Sequence, residues 1–364
     1  MFNRKLKFSS PDIGFAEKKA VLKVLNSGIL TQGSQVKEFE NKFSKIVDSR
    51  ESISVNSGTS ALLLAILSLK IGHGDEVIVP SFTFAATANA VALAGAKPVF
   101  ADVDKRTFNL DINSVKNKIT PRTKAIIVVH LFGLTADMYK FVEFCKHRNL
   151  LLIEDAAQAH LATYENQAAG TFGDAACFSF YPSKNMTTGE GGIVIFKDSH
   201  PARLARLLRN QGMEARYMNE VIGFNFRMSE ISAAIGISQL NKLHKLTEMR
   251  RANAMFYQQK LSSSIVPFVP KGCYHVYHQF TLTLENSRDK VKEELETIGI
   301  PSMIYYPTPV HKLPSYGSEI SQPIAEKVCR QVLSIPISPS LSKRNRSFIA
   351  NSLNDIIEKV QLDA

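Results

Sequence analysis

The 364-residue sequence predicts a doubly wound α/β fold, in which a mostly parallel sheet is followed by a smaller C-terminal α+β domain. Short apolar runs such as Glu76–Pro80 alternate with amphipathic helical patterns up to about residue 228. Strands that are apolar throughout are typical of a parallel sheet buried on both faces. Beyond residue 228 helical periodicity dominates, which indicates a second domain.

The predicted sheet takes its strands from the apolar runs in the first part of the chain. These strands are 76–80, 97–100, 124–130, 150–154, 175–180 and 192–196. Helices are predicted before the first of them, over 61–69, and between them, over 85–94 and 136–149.

The C-terminal part is predicted to begin in one long helix over 228–261. A strand over 276–284 and helices over 289–298, 324–333 and 343–360 follow it. The expected boundary near residue 240 gives a large domain, 1–240, with an N-terminal helical segment, and a small α+β domain, 241–364.

Charge and hydropathy limit the classes of partner. The formal net charge of +11 favours anionic partners such as phosphates and nucleotides. No run of five or six like charges is present, so a nucleic-acid-binding arm is not predicted. The first ten residues contain no apolar stretch, and the apolar run 61–69 is far shorter than the roughly 20 residues that cross a bilayer. We therefore expect a cytoplasmic protein without membrane contact.

The four cysteines form no CxxC pair, and the two closest, Cys145 and Cys177, are 177 − 145 = 32 residues apart. We expect reduced, mostly buried thiols and no metal site.

Small hydroxyl residues and a glycine precede the apolar helix at 61–69, in the segment Ser54–Ser60 (SVNSGTS). The free amides and the dipole of such a helix start favour a phosphate. The alternative is a simple helix N-cap.

Asp155 follows a buried strand, in the segment Ile153–Gln158 (IEDAAQ). A carboxylate at this position needs a cation or hydrogen-bond donors to offset its desolvation, and a protonated pyridine nitrogen would serve. The alternative is a cap of the next helix. His130, after another strand, is interpreted as a core histidine.

Lys184 follows the aromatic-rich strand in FSFYPSKN (178–185), and GEGG (189–192) comes after it. Desolvation in such a pocket would lower the pKa of the amine and make it a nucleophile. The alternative is an ordinary surface lysine.

The three segments together match one cofactor, pyridoxal 5'-phosphate (PLP). They offer a phosphate site, a carboxylate for the ring nitrogen and an amine for the aldehyde. Ligands of open α/β sheets bind beyond the carboxyl ends of the strands, where all three are expected to lie.

The chain resembles the DegT/DnrJ/EryC1/StrS aminotransferases, which are sugar aminotransferases of PLP fold type I. The resemblance covers nearly the whole chain. The stretches that carry it are GILTQG (28–33), VNSGTSAL (55–62), GDEVIVPSFTF (74–84), EDAAQAH (154–160), FSFYPSKN (178–185), GEGG (189–192), GFNFRMSE (223–230), PTPVH (307–311) and LSIP (333–336).

The resemblance implies a role for each matching residue. Lys184 would bind the aldehyde of PLP, Asp155 would pair with the ring nitrogen, and Gln158 would lie on the ring's hydroxyl side. The phosphate would be held by Gly58, Thr59 and Ser179, and one cofactor face would be covered by Phe84. The segment with Asn225 and Arg227 would reach the neighbouring subunit's site, which implies a homodimer with shared active sites.

The resemblance also implies transfer of an amino group, with L-glutamate as the expected donor, to a nucleotide-linked keto-deoxy-sugar. The product would be an amino sugar for a surface polysaccharide or glycoconjugate. GEGG after the lysine favours amination at C4 over C3. Tyr306 and His311 are candidate substrate contacts, and a purely structural loop is the alternative.

Two further alternatives concern the chemistry. Relatives that dehydrate sugars have histidine in place of the lysine, so Lys184 favours transamination. A non-catalytic regulatory relative would not need Lys184, Asp155 and Thr59 together.

Overall fold

The strands lie mainly in the N-terminal two thirds of the chain. The computed structural model describes residues 6–49, 51–285 and 287–362. The first residues of the predicted large domain and the last residues of the predicted small domain lie outside the described residues. The strands are β1 (Glu51–Val55), β2 (Glu76–Pro80), β3 (Lys97–Ala101), β4 (Thr123–Val129), β5 (Leu151–Asp155), β6 (Thr163–Tyr164), β7 (Gln167–Ala168), β8 (Ala175–Ser179), β9 (Gly192–Phe196), β10 (Met213–Ala215), β11 (Met218–Asn219), β12 (Cys273–Tyr274), β13 (Phe280–Thr283) and β14 (Val332–Ile335).

Helices precede, separate and follow these strands. They are α1 (Phe15–Ser27), α2 (Ser34–Val47), α3 (Gly58–Ser68), α4 (Ala86–Leu93), α5 (Ile112–Lys116), α6 (Met138–Arg148), α7 (Ser199–Arg209), α8 (Glu230–Leu240), α9 (Leu243–Lys260), α10 (Arg288–Thr297), α11 (Pro323–Gln331) and α12 (Lys343–Leu362).

The main sheet has seven strands among the described residues, in the order β1-β9-β8-β5-β4-β2-β3. β9 runs antiparallel to both of its neighbours, and the other pairings are parallel. The prediction of a doubly wound, mostly parallel sheet is therefore confirmed. Each strand predicted for it lies within one residue of the expected bounds.

Alternate residues of β9 show that helices cover both faces of the sheet. Val194 and Phe196 pack in one apolar layer with α3, α4 and α7. Ile193 and Ile195 pack in the opposite layer with α2 and α8. Because successive side chains of a strand point to opposite faces, an uninterrupted apolar run is what two covered faces require.

The long helix predicted over 228–261 is wrong, because α8 and α9 are separate helices with Lys242 between them. Lys242 donates from Nζ to the carbonyl oxygen of Asp12 at 2.6 Å and to Glu17 Oε1 at 2.8 Å. These contacts join the break to α1 and the segment before it. The periodicity of the segment depends on its own residues and does not reveal such distant partners.

The strand predicted over 276–284 forms only in its second half, as β13, which pairs antiparallel with β14. In the first half Tyr277 has a φ of 47°, a left-handed conformation that interrupts a strand. The amide of Val276 donates instead to the carbonyl of Gly133 at 3.0 Å. The helix predicted over 324–333 is also too long, because its last residues belong to β14.

A separate apolar cluster packs α9, α10 and α12 against β13 and β14 in the C-terminal part, which confirms its α+β character. Helix α11 contributes Ala325 and Val328 to another cluster, which contains Phe82 and Phe132 beyond the strand ends of the main sheet. The domain boundary near residue 240 stays a prediction. Among the described residues, no helix combines the length and the apolar character needed to span a membrane.

His130 is a buried residue with a structural partner on each ring nitrogen. The amide of Ala136 donates to Nδ1 at 3.2 Å, so Nε2 carries the ring proton. Nε2 lies 2.8 Å from Glu154 Oε2 and donates to it. This environment agrees with the interpretation of His130 as a core histidine.

Glu154 joins β5 to the turn that leads into β8. Its fully buried carboxylate accepts hydrogen bonds from His130 and from the backbone amides of Gly170, Phe172 and Gly173, the amide bonds being 2.7 to 2.8 Å long. Glu154 therefore fixes the end of β5, where Asp155 is the last residue.

We expect Glu154→Ala to lower the free energy of unfolding by at least about 3 kcal/mol, because each buried donor left without an acceptor costs about 1–3 kcal/mol. Urea unfolding followed by circular dichroism measures the change. The matched control is Glu143→Ala on α6, whose side chain is 76% exposed. Equal stability of the two variants would contradict the role given to Glu154.

Candidate active site

Three strand ends meet at one edge of the main sheet. β5 ends at Asp155, which lies beside Cys177 of β8. β8 ends at Ser179, beside Gly192 at the start of β9, and Gly192 also lies beside Val55, the last residue of β1. The carboxyl ends of β1, β5 and β8 are therefore grouped around the start of β9, where an open α/β sheet binds its ligand.

The start of α3 lies against the end of β8. The side chain of Ser57 caps the helix by accepting from the amide of Ser60 at 3.1 Å. A Cβ atom at Gly58 would lie 2.7 Å from Cβ of Ser179, so glycine is needed for this close approach. Amides of the first turn and the positive end of the helix dipole favour an anion here. The structure thus brings Gly58, Thr59 and Ser179 together.

Lys184 lies in a turn after β8, where its amide donates to the carbonyl of Tyr181 at 2.9 Å. The lysine side chain is half-buried. Desolvation lowers the pKa of its amine to about 8, and the negative charge of Asp155 opposes this shift. A pKa near 8 leaves a useful fraction of neutral, nucleophilic amine at neutral pH. The environment therefore differs from that of an ordinary surface lysine.

Asp155 is buried at the end of β5. Its Oδ2 accepts from the hydroxyl of Thr87 at 2.7 Å, and its Oδ1 accepts from the amide of Ala157 at 3.2 Å. Burial raises the pKa of the carboxyl, whereas both hydrogen bonds and the charge of Lys184 oppose that rise. In the described chain a turn follows β5, so the alternative of a helix cap is wrong.

Gln158 connects the turn after β5 to two other segments. Its Oε1 accepts from the amide of Phe132 at 2.7 Å, and its Nε2 donates to the hydroxyl of Tyr306 at 3.1 Å. These two bonds fix the orientation of the side-chain amide. The ring of Tyr306 lies 6.2 Å from that of Phe84, centroid to centroid, and Phe84 is 59% exposed. Tyr306 therefore lies between Gln158 and Phe84 in this chain of contacts.

The segment containing Asn225 and Arg227 runs beside the end of β1. The amide of Asn56 donates to the carbonyl of Phe226 at 2.9 Å, which ties the segment to the loop before α3. Arg227 Nη1 donates to Asn210 Oδ1 at 2.8 Å. The side chain of Asn225 is exposed, while that of Phe226 packs on the apolar layer with α3. Its contact with a neighbouring subunit stays a prediction.

His311, the other candidate substrate contact, is surrounded by different residues. Its ring is fully buried, packs against Phe100 at a centroid distance of 6.1 Å and has Nε2 3.3 Å from Glu326 Oε1. Burial lowers the pKa of His311, and the Glu326 carboxylate opposes this effect. A buried ring with this partner does not fit the substrate contact predicted for it, and it favours the alternative of a structural loop.

Among the residues that contact predicted site groups, Thr87 and Phe132 were not found from the sequence. Thr87 bonds to Asp155, and its signal was a hydroxyl in the mostly apolar helix α4. Phe132 bonds to Gln158 through its backbone amide, from a conformation with a φ of 57°. Every residue except proline has a backbone amide, so the residue type does not reveal a role of this kind.

The grouped residues fit the requirements of PLP. The first turn of α3 and the Ser179 hydroxyl would hold its phosphate. The buried Asp155 carboxylate has accepted two hydrogen bonds and keeps lone pairs for a protonated ring nitrogen. Lys184, with its lowered pKa, would bind the aldehyde.

Known sequences match nearly all of the chain. The model of the DegT/DnrJ/EryC1/StrS aminotransferase family matches residues 11–354. A UDP-N-acetyl-3-dehydro-α-D-glucosamine 3-aminotransferase of Acidithiobacillus ferrooxidans is 42% identical over 333 residues, which cover 90% of this chain and 90% of the relative.

Solved structures match the fold equally well. DesV of S. venezuelae, in complex with a ketimine intermediate, is 38% identical with a TM-score of 0.91 and covers 94% of each chain. The PLP form of Spr1654 from Streptococcus pneumoniae, a putative sugar aminotransferase by its description, is 28% identical with a TM-score of 0.92, over 98% of this chain and 99% of that one. The chain belongs to the DegT/DnrJ/EryC1/StrS aminotransferase family and is a PLP-dependent sugar aminotransferase.

Proposed function

We propose that the chain transfers the amino group of L-glutamate to the keto group of a nucleotide-linked deoxy-sugar, at the site built around Lys184 and Asp155. The observation that carries this proposal is the Lys184 amine, whose pKa is lowered to about 8 near a buried carboxylate at the carboxyl edge of the sheet. The product is an amino sugar for a surface polysaccharide or another glycoconjugate.

Each residue of the site has a separate task in this proposal. PLP, when bound, supplies the electron sink that stabilises negative charge on the reacting carbon. The first turn of α3 binds the phosphate, and Asp155 holds a proton on the ring nitrogen. Lys184 Nζ takes the proton from the donor's carbon and returns it as general base and acid. Gln158 orients the ring from its hydroxyl side, and Phe84 covers one face.

Two features support a nucleotide-linked acceptor. The relative from Acidithiobacillus ferrooxidans is named for a UDP-linked sugar. The net charge of +11 suits the negative charge of a diphosphate.

The carbon that receives the amino group has two candidates. The GEGG segment after Lys184 favours C4, as predicted from the sequence. The name of the relative, a 3-aminotransferase, favours C3. Sugars with the keto group at either carbon therefore belong in the same assay.

We expect L-glutamate to convert the bound cofactor to its pyridoxamine form, with loss of visible absorbance, and a suitable keto-sugar to reverse the change. UDP-, dTDP- and GDP-linked sugars with a 3-keto or 4-keto group form the panel, and NMR of the product gives the aminated carbon. Lys184→Ala should abolish both half-reactions because the proton-transferring amine is lost. Lys197→Ala, at an exposed lysine after β9, is the control.

Other outcomes of this assay contradict the proposal in distinct ways. Full turnover by Lys184→Ala would remove the lysine from the chemistry. Loss of water from the sugar without incorporation of nitrogen would identify the dehydratase alternative. A cofactor that responds to neither glutamate nor any sugar would favour a regulatory relative.

We expect Asp155→Asn to lower kcat by about 10²-fold or more, which corresponds to a loss of roughly 3 kcal/mol of transition-state stabilisation. An amide cannot carry the negative charge that keeps the ring nitrogen protonated. Steady-state kinetics with glutamate and the best keto-sugar give the change, and Asp198→Asn, at an exposed position, is the control. Near-normal rates would refute the role of Asp155.

We further propose a homodimer in which the segment with Asn225 and Arg227 completes the partner's site. Large apolar side chains are exposed just before this segment, with Tyr217 80% and Ile222 95% exposed. Phe84 at the site is exposed as well. A second copy of the chain would bury this apolar surface next to the site.

A mixing experiment tests the shared site. Lys184→Ala and Arg227→Ala are each expected to show little activity. In a hybrid dimer one site contains an intact lysine from one subunit and an intact arginine from the other, so refolding an equal mixture should restore about one quarter of wild-type activity. No recovery above the sum of the two variants would show that Arg227 does not act across the interface.

A further inference from the structure

Two threonines connect α4 and the turn before it to Asp155. Thr87 lies in the first turn of α4, and its Oγ1 is 2.7 Å from Asp155 Oδ2. Thr83, four residues earlier, has its Oγ1 3.2 Å from that of Thr87. Both threonines are at most 3% exposed, so water does not compete for these bonds.

The direction of both hydrogen bonds follows from the number of protons. A hydroxyl has one proton, and Thr87 donates its proton to the Asp155 carboxylate. Thr87 can then only accept from Thr83, so donation runs from Thr83 through Thr87 to Asp155. Hydrogen bonds aligned in this way polarise one another and strengthen the last bond.

The two carboxylate oxygens of Asp155 are anchored separately. Thr87 donates to Oδ2, and the amide of Ala157 donates to Oδ1. Both partners are donors, and a donor favours the ionised form of a carboxyl group over the protonated form. Two anchors from different segments also restrict rotation of the side chain.

We propose that Thr87, supported by Thr83, is a positioning residue that keeps Asp155 ionised and turned toward the ring nitrogen of the cofactor. The proposal rests on the role proposed above for Asp155. Thr87 itself touches neither substrate nor cofactor and acts through the carboxylate.

The surrounding ionisable groups do not replace this hydrogen bond. Those that face Asp155 are Lys184, His130, Tyr306 and Cys177. Burial raises the pKa of Tyr306 and of Cys177, so both are neutral at neutral pH. Both ring nitrogens of His130 are already bonded, to the amide of Ala136 and to Glu154, so neither donates to Asp155. Lys184 binds the cofactor in the holoenzyme. Thr87 thus provides the side-chain hydrogen bond that resists the rise of the Asp155 pKa caused by burial.

The test compares Thr87→Val, which removes the hydroxyl at nearly constant shape, with Thr87→Ser, which keeps it. We expect Thr87→Val to lower kcat about tenfold, the effect of one hydrogen bond to a charged group, with little change in KM for the keto-sugar. Without this donor the pKa of Asp155 is higher, so the loss of activity on acidification begins at a higher pH. The acid limb of the pH profile should move up by about one unit, and Thr87→Ser should restore it.

A spectroscopic measurement separates this role from a merely structural one. The holoenzyme is reconstituted with PLP labelled with ¹⁵N in the ring, and the ¹⁵N chemical shift reports ring protonation across pH. We expect a protonated ring nitrogen in wild type and Thr87→Ser, and a smaller protonated fraction at the same pH in Thr87→Val. Thr83→Val should shift the titration in the same direction by less.

Thr247→Val is the matched control. Thr247 is a buried helical threonine, on α9, and its hydroxyl has no hydrogen-bond partner in the described part of the chain. The same substitution there tests the effect of burying a valine in place of a threonine, and wild-type kinetics are expected.

Asp155→Asn in the same NMR experiment distinguishes failure of this inference from failure of the proposed function. If Asp155→Asn removes the ring proton while Thr87→Val titrates like wild type, the inference is overturned and the role of Asp155 stands. If the ring stays protonated in Asp155→Asn, the role of Asp155 fails and the inference fails with it.

Discussion

A buried carboxylate near a partly desolvated amine is the interaction on which the rest of the site depends. Desolvation raises the pKa of Asp155 and lowers that of Lys184, which favours the neutral form of each group. The attraction between the two groups favours their charged forms instead. The balance is set by how far apart the sheet holds them. Asp155 ends β5 and Lys184 follows β8, and these strands are hydrogen-bonded neighbours. A change in the register of β5 and β8 would therefore change the separation of the two groups and with it both pKa values.

Two consecutive acids of β5 show how structure and chemistry are divided. Glu154 has its carboxylate filled by four donors and holds the turn before β8. Asp155 accepts two hydrogen bonds and keeps lone pairs free for a ligand. The period of a strand sends the two side chains to opposite faces, so one can be saturated without crowding the other. The number of donors around each carboxylate distinguishes the structural acid from the acid proposed to bind the cofactor.

The strands of the main sheet were predictable because burial on both faces imposes an apolar run whose ends are marked by polar residues. Asp155 and Lys184 were predicted as site residues for the same reason and from the motifs of a known family, and their roles stay predictions. What the sequence did not show depends on contacts between distant segments. Lys242 separates α8 from α9 through partners near residue 12, and Tyr277 leaves the strand for a left-handed conformation. His311 has a polar side chain in a stretch that resembles the family, yet its ring is buried beside Glu326.

The groups that fit the cofactor come from α3, β5 and the turn after β8, which are separated by about a hundred residues between α3 and β5 alone. An unfolded chain does not bring them together, so PLP has a complete site only in the native state. Free cofactor then shifts the folding equilibrium by mass action, in proportion to the logarithm of its concentration above its dissociation constant. In a cell, the concentration of this cofactor would thus affect the folded fraction of the chain as well as its rate of catalysis.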